Sequence, residues 1–268
     1  DVPDDVNVFD IEQGVAVGLF RRLPARSKTT IRHMDLWGSR ESKYAYLQAH
    51  THANSDLECL TPNSPFYFFV PWDETNRQEY ETGWSLSRVF PMNSVGIVTA
   101  RDSLSVHYSK SEVWRTVQDF SSLPTEEARQ KYSLGKDVQS WKVHLAQKDL
   151  RETGLTRKLI KPILYRPFDV RFTYYTGTSG GFICRPLHRV MRHMLTGENM
   201  GLVTIRRSRD PGEWRYAFVT SMLIAGATSI TSLDMNYLYP LYTYAGGNEL
   251  LTKGKREANL SHEFTDYL

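Results

Sequence analysis

Only two cysteines occur in the chain, Cys59 and Cys184, and neither sits in a CxxC pair or a Cys/His cluster with zinc spacing. A disulfide framework and a structural zinc are thereby excluded, and a reduced, cytoplasmic chain is expected. No stretch approaches the roughly 20 apolar residues of a membrane span. The opening residues, Asp1, Val2 and Pro3, lack the basic and apolar regions of a signal peptide, so the chain is read as neither secreted nor membrane-embedded. No P-loop, GxGxxG or GxSxG occurs, which removes the sequence supports for nucleotide hydrolysis, dinucleotide binding and serine-esterase chemistry. Internal repeats and low-complexity tracts are missing as well, so solenoids and propellers drop out. The formal charge is only +3, too small to announce a polyanionic partner. The chain also starts without methionine, which reads as a piece of a longer polypeptide.

What is present fits one large domain or two small ones: 268 residues, 40% of them hydrophobic and 24% charged. Residues 6–20 (VNVFDIEQGVAVGLF) are read as a strand and residues 28–34 (KTTIRHM) as a second. Ser39 then precedes a helix over 41–50, with Tyr44 and Leu47 on its apolar face and Arg40 and Lys43 outside it. Residues 59–72 (CLTPNSPFYFFVPW) form an extended connector rich in proline and aromatics, and a domain boundary is placed near it. A short helix (83–90) and strands at 95–99 and around Val106 lead to a helical stretch, 110–157. There Val113, Val117 and Phe120 share one face, and Trp141, His144 and Leu145 another. The last hundred residues read as strands at 160–175, 201–205, 214–220 and 222–230, with a glycine-rich loop at 177–181.

The small net charge conceals an asymmetry. Residues 151–215 hold thirteen Lys and Arg against five Asp and Glu, a net of +8, so the other 20 basic and 25 acidic residues leave −5. Eleven of the thirteen are arginine, whose planar fork suits phosphate and the guanine edge. Aromatics alternate with them in Tyr165, Arg166, Phe168, Arg171, Phe172, Tyr174 and Tyr175, as stacking or wedging side chains on nucleic acid would, or as ring faces turned into a core. Asp169 reads as a clamp on its neighbouring arginines. Arg185, Arg189 and Arg192 fall on one face of a helix opened by Pro186, while Arg206, Arg207 and Arg209 leave a strand into a turn.

Other constellations are weaker. His50 and His52 lack a third metal ligand. Asp35, Glu41 and Lys43 faintly resemble a nuclease set, but fall in a helix-like stretch where such groups need a strand. The tetrapeptide Ser64-Pro65-Phe66-Tyr67 is close to the loop with which adenine methyltransferases hold a flipped base, but Phe66 replaces its second proline.

Six phrases in order carry a family resemblance: NVFDIEQGVAVGLF (7–20), DLWGSRESKYAYL (35–47), GIVTARD (96–102), YRPFDVRFTYY (165–175), ENMGLVTIRR (198–207) and YPLYTY (239–244). Together they resemble the C-terminal part of type ISP restriction-modification enzymes and their type IIG relatives. Such enzymes join nuclease, motor, adenine-N6 methyltransferase and target-recognition parts in one polypeptide. The resemblance implies a mixed α/β fold, with the end of a methyltransferase-like α/β domain at 1–50 and a mixed strand-and-helix target-recognition domain at 57–268, truncated at its C-terminus. It implies double-stranded DNA and the rest of the polypeptide as partners. The fragment itself is expected to be inactive and without a cofactor, while S-adenosylmethionine, ATP and magnesium serve the parent enzyme. Candidate DNA contacts are Arg101, Asp102, Arg166, Arg171, Tyr174, Arg185, Arg189, Arg192, Arg206, Arg207 and Arg209. The competing readings are a fragment that is itself a nuclease or methyltransferase, and a protein-interaction module that docks through its basic face.

Overall fold

A computed structural model describes residues 5–11, 13–22, 29–138, 140–206, 215–226, 235–245 and 255–268, and they divide into two compact units, Asp1–Gly83 and Trp84–Leu268. In the first, β1 (Ile31–His33) leads through α1 (Arg40–Ala49) to β2 (Glu58–Leu60), which pairs antiparallel with β1; α2 (Arg77–Glu81) follows. Ser39 caps α1 as expected, its side chain accepting from the Ser42 amide.

Two expectations fail in this unit. The described part of residues 6–20 forms no strand, and the carbonyls at its start are taken by α1 side chains instead of a neighbouring strand. Lys43 donates to the Val6 carbonyl at 2.8 Å, Arg40 to that of Asn7 at 2.9 Å and Tyr44 to that of Val8 at 2.9 Å. The face of α1 is accordingly inverted. Lys43 is buried and paired with Asp5 at 2.7 Å, while Tyr44 and Leu47 are exposed. A lysine whose ammonium finds a carboxylate and a carbonyl can be buried, stem included.

In sequence the two compact units meet at Gly83/Trp84. Residues 58–60 are tied to β1. The connector turns back on itself, with Asn63 donating to Glu74 at 2.8 Å and Arg77 to the Ser64 carbonyl at 2.6 Å.

The larger unit opens with α3 (Leu86–Val89), β3 (Ser94–Val95), α4 (Asp102–Ser105) and β4 (Val106–His107). The helices α5 (Lys110–Ser122), α6 (Thr125–Lys131) and α7 (Val143–Thr153) come next, then the hairpin β5 (Ile160–Arg166) and β6 (Asp169–Tyr174), and α8 (His188–Met191). The chain continues through β7 (Gly201–Ile205), β8 (Ala217–Thr220), β9 (Leu223–Ile224), β10 (Asn236–Pro240), β11 (Tyr242–Tyr244), β12 (Arg256–Ala258) and α9 (His262–Tyr267).

Two four-stranded sheets result. One, ordered β3-β10-β7-β8, is antiparallel; the other, β4-β6-β5-β9, is antiparallel except where β9 runs parallel to β5. The segment after β3 stitches them together. Ile97 bridges to Ala225 just beyond β9, and Val98 bridges to Arg185. Backbones cross so closely there that a Cβ on Gly96 would lie 2.5 Å from the Ala225 carbonyl group.

Ser109 and Glu112 form a capping box on α5, whose buried face is Val113, Val117 and Phe120, as its spacing predicts. On α7 the expected face is corrected. Trp141 is buried, but His144 and Leu145 are exposed, and Val143, Ala146, Gln147 and Leu150 point inward. These helices share a core with Ile163, Tyr174, Tyr175, Phe182 and Ile183 from the second sheet and the loop after it. Among the described residues no helix is long and apolar enough to cross a membrane. Both cysteines are free, Cys59 exposed and Cys184 buried.

Candidate nucleic-acid interface

The hairpin β5–β6 is the organising element. Its strands pair from Ile160 opposite Tyr174 to Arg166 opposite Asp169, with the register shifting between Leu164 and Arg166, so Tyr165 is the extra residue of a bulge. A bulge re-aims its side chain. The Tyr165 hydroxyl donates to Asp102 at 2.7 Å, and Asp102 also accepts from the Thr99 hydroxyl. Burial, then the neighbouring Asp102 carboxylate, raises the Tyr165 pKa and keeps the phenol a donor.

Two arginines stack on that ring. The Arg166 guanidinium lies 4.6 Å from its centroid and that of Arg171 4.2 Å, with Arg171 also 4.3 Å from the Tyr108 ring. Asp169 grips Arg171 through Nε and Nη2, at 3.0 and 2.8 Å to Oδ2, as its reading as a clamp requires. Nη1 takes no part in that fork, and the pair is only part-buried. The result is a rail of guanidinium and aromatic planes at the end of a hairpin, each plane fixed by its neighbours.

The other candidates fall elsewhere. Arg101 spends its guanidinium on the carbonyls of Leu134, Ala100 and Lys136 at 2.9, 2.8 and 3.0 Å and lies over Trp141; it is a clamp on the turn before α7, which corrects its reading as a contact. Tyr174 is corrected too. Its ring is fully buried, and its hydroxyl donates to the Gly154 carbonyl and accepts from the Thr156 amide. Burial does not alternate at this end of β6, where Thr173 and Tyr174 are both inside, and Tyr174 joins the core shared with α5 and α7. The single helical face for Arg185, Arg189 and Arg192 does not form, because α8 is only four residues long and starts after Leu187 at φ +49°. Arg185 lies before it in the bridge to Val98; Arg185 and Arg189 are exposed and Arg192 is half-buried. Arg206 leaves β7 exposed and stacks 4.5 Å from Tyr237. Arg207 and Arg209 lie outside the described residues.

The structure thus joins Asp102, Arg166 and Arg171 through Tyr165 and adds Tyr108, which was not among the candidates; Phe168, read in the sequence among the aromatics that would stack or wedge on nucleic acid, stands apart from this cluster. Phe168 is 93% exposed at the tip of the hairpin and touches Phe218 of β8 edge-on, at 6.2 Å. Its place after Pro167 between two strands is a signal legible in the sequence. Tyr108 carries none, since its partners are about sixty residues away.

The weaker constellations do not assemble. Lys43 is committed to Asp5, and Glu41 is held below the usual carboxylate range by the hydrogen bond of its own amide and by Ser39. Asp35 lies 3.6 Å from His33, and His50 stacks on Tyr46. Among the described residues no three His, Cys, Asp or Glu side chains could hold a metal ion.

Residues 88–268 match the family described as the type ISP C-terminal specificity domain. The chain belongs to this family. The specificity domain occupies nearly all of the larger unit, while the smaller one lies outside the match. Compared with curated proteins, the sequence matches none. Among solved structures it is similar to the ATP-dependent type ISP restriction-modification enzyme LlaBIII bound to DNA, with 16% identity over 91% of this chain and a TM-score of 0.55. It is also similar to DrdV in a DNA complex, with 18% identity over 88% of this chain and a TM-score of 0.51. Both likenesses establish a shared mixed α/β fold. The chain spans 16% of the first protein's length and 24% of the second's.

Proposed function

We propose that the specificity domain binds double-stranded DNA through the end of the β5–β6 hairpin and the neighbouring arginines, and reads sequence for a larger restriction-modification enzyme. The observation that carries this is the rail of Arg166, Tyr165, Arg171 and Tyr108, whose two arginines belong to the region of the chain with a net charge of +8. Guanidinium groups held by ring stacking keep a fixed positive charge that suits phosphate or guanine, and less side-chain freedom is lost when DNA arrives. The LlaBIII and DrdV structures, both with DNA, support the same partner.

Within the parent enzyme this reading would direct adenine-N6 methylation and cleavage of unmodified sites. The smaller unit would be the end of the methyltransferase domain, and S-adenosylmethionine, ATP and magnesium would be bound elsewhere in the polypeptide. A gel-shift series with a salt titration tests the binding. Replacing both Arg166 and Arg206 by alanine is expected to weaken binding to all duplexes and to flatten the slope of log K against log salt by about 0.9 for each lost phosphate contact. A base-reading arginine would instead relax specificity, by about 1–3 kcal/mol. Unchanged affinity and slope in the double variant overturn this placement. The modified motif in the host's methylome is expected to contain N6-methyladenine.

A further inference from the structure

No other large apolar or aromatic side chain among the described residues is as exposed as Phe168 at 93%, and its backbone is in the left-handed region at φ +63°. That is the position where a tight turn takes glycine or asparagine. Phenylalanine there is strained relative to glycine and keeps a full ring in water, and neither cost is offset by burial within this unit. Such strain, where the surroundings hold it in place, points to a task.

The surroundings do hold it. Arg166 and Asp169 flank the two-residue turn and pair across it; Asp169 fixes Arg171, Arg171 stacks between Tyr108 and Tyr165, and Tyr165 is anchored through Asp102. Phe218 supports the ring from the side. A rigid apolar tip whose base carries guanidinium groups has the composition of a wedge that enters a DNA stack while cations hold the adjacent phosphates.

We propose that Phe168 inserts between two adjacent base pairs of the bound duplex and unstacks one step. The inference rests on the DNA-binding reading above and adds a deformation to it. An inserted ring makes no base-edge hydrogen bonds, so its contribution to sequence choice is indirect and favours steps that open easily, pyrimidine–purine steps above all.

The test uses the full chain and duplexes selected by the wild-type protein from a randomised 40-base-pair pool, resynthesised with 2-aminopurine at successive positions. Wild-type protein is expected to raise the fluorescence at one step. F168G relieves the turn and so keeps the fold, checked by circular dichroism. It is expected to lose that signal and about tenfold in affinity, and F168W to restore both. If F168G binds and brightens the probe as wild type does, the wedge is overturned while DNA binding stands, and the ring is then assigned to a protein contact. If the wild-type chain selects no duplex from the pool, both readings fall together.

Discussion

Arg166, Arg171 and Arg101 share one side-chain chemistry and differ in what the fold makes of it. Arg101 is consumed by three carbonyls, whereas Arg171 is held by one carboxylate and two rings in a part-buried position. Tyr165 is the pivot, and its two contributions can be separated. Y165F keeps the ring and loses the bond to Asp102, an expected cost of about 1 kcal/mol in chemical denaturation with DNA affinity nearly intact. Y165A removes the rail and is expected to weaken binding several-fold as well. His193 gives a residue-scale pH dependence. Its Nδ1 accepts from the Tyr244 amide at 3.0 Å, and its Nε2 is buried without a partner among the described residues. Burial, then the neighbouring Arg192 and His188, pushes its pKa down from 6.5 to about 4, so the folded state holds it neutral. The unfolded chain therefore binds the extra proton. This contribution is complete above about pH 6.5 and is lost as the pH falls towards about 4, at up to about 1.4 kcal/mol per pH unit. Urea denaturation of wild type and H193Q between pH 7 and 4.5 checks it, since the variant should lack that part of the slope.

At the scale of elements, helix α7 and the glycine loop after β6 are joined by a buried carboxylate. Asp149 accepts from the Phe182 amide at 2.8 Å and the Thr176 hydroxyl at 2.7 Å, and Gly181 approaches so closely that a Cβ there would lie 2.3 Å from Asp149 Oδ2. D149A strands two donors at once. It is expected to cost about 2–4 kcal/mol in thermal or chemical denaturation, with DNA affinity following only the folded fraction. Elements such as β7 and the buried face of α5 are legible in the sequence because their periodicity is local. The strand expected over 6–20 is not. β-branched residues record a fit to a pleated, half-buried surface, and without a partner strand that preference has nothing to act on. The arginine face of α8 fails likewise, since Leu187 in the left-handed region starts the helix two residues after Arg185.

Over the whole molecule the basic residues are segregated, not abundant. A domain that used this region on DNA should show a steep salt dependence despite its net +3, and an overall charge near zero would not predict it. The larger unit has its own core, so a fragment beginning at Trp84 is expected to unfold in one cooperative transition with the hairpin intact, followed by circular dichroism. The sequence by itself determined the mixed α/β class, the arginine-rich region, the buried face of α5 and, through six ordered phrases, the family, because these depend on residue types and on neighbours within a few positions. Only the tertiary structure decided which arginines are consumed and which are displayed, that Tyr174 is core while Phe168 stands out, and that Lys43 faces inward. Those outcomes turn largely on partners remote in the chain, such as Leu134 for Arg101, Tyr108 for Arg171, Gly154 for Tyr174 and Val6 for Lys43, and no local pattern records which distant carbonyl or ring will meet a given side chain.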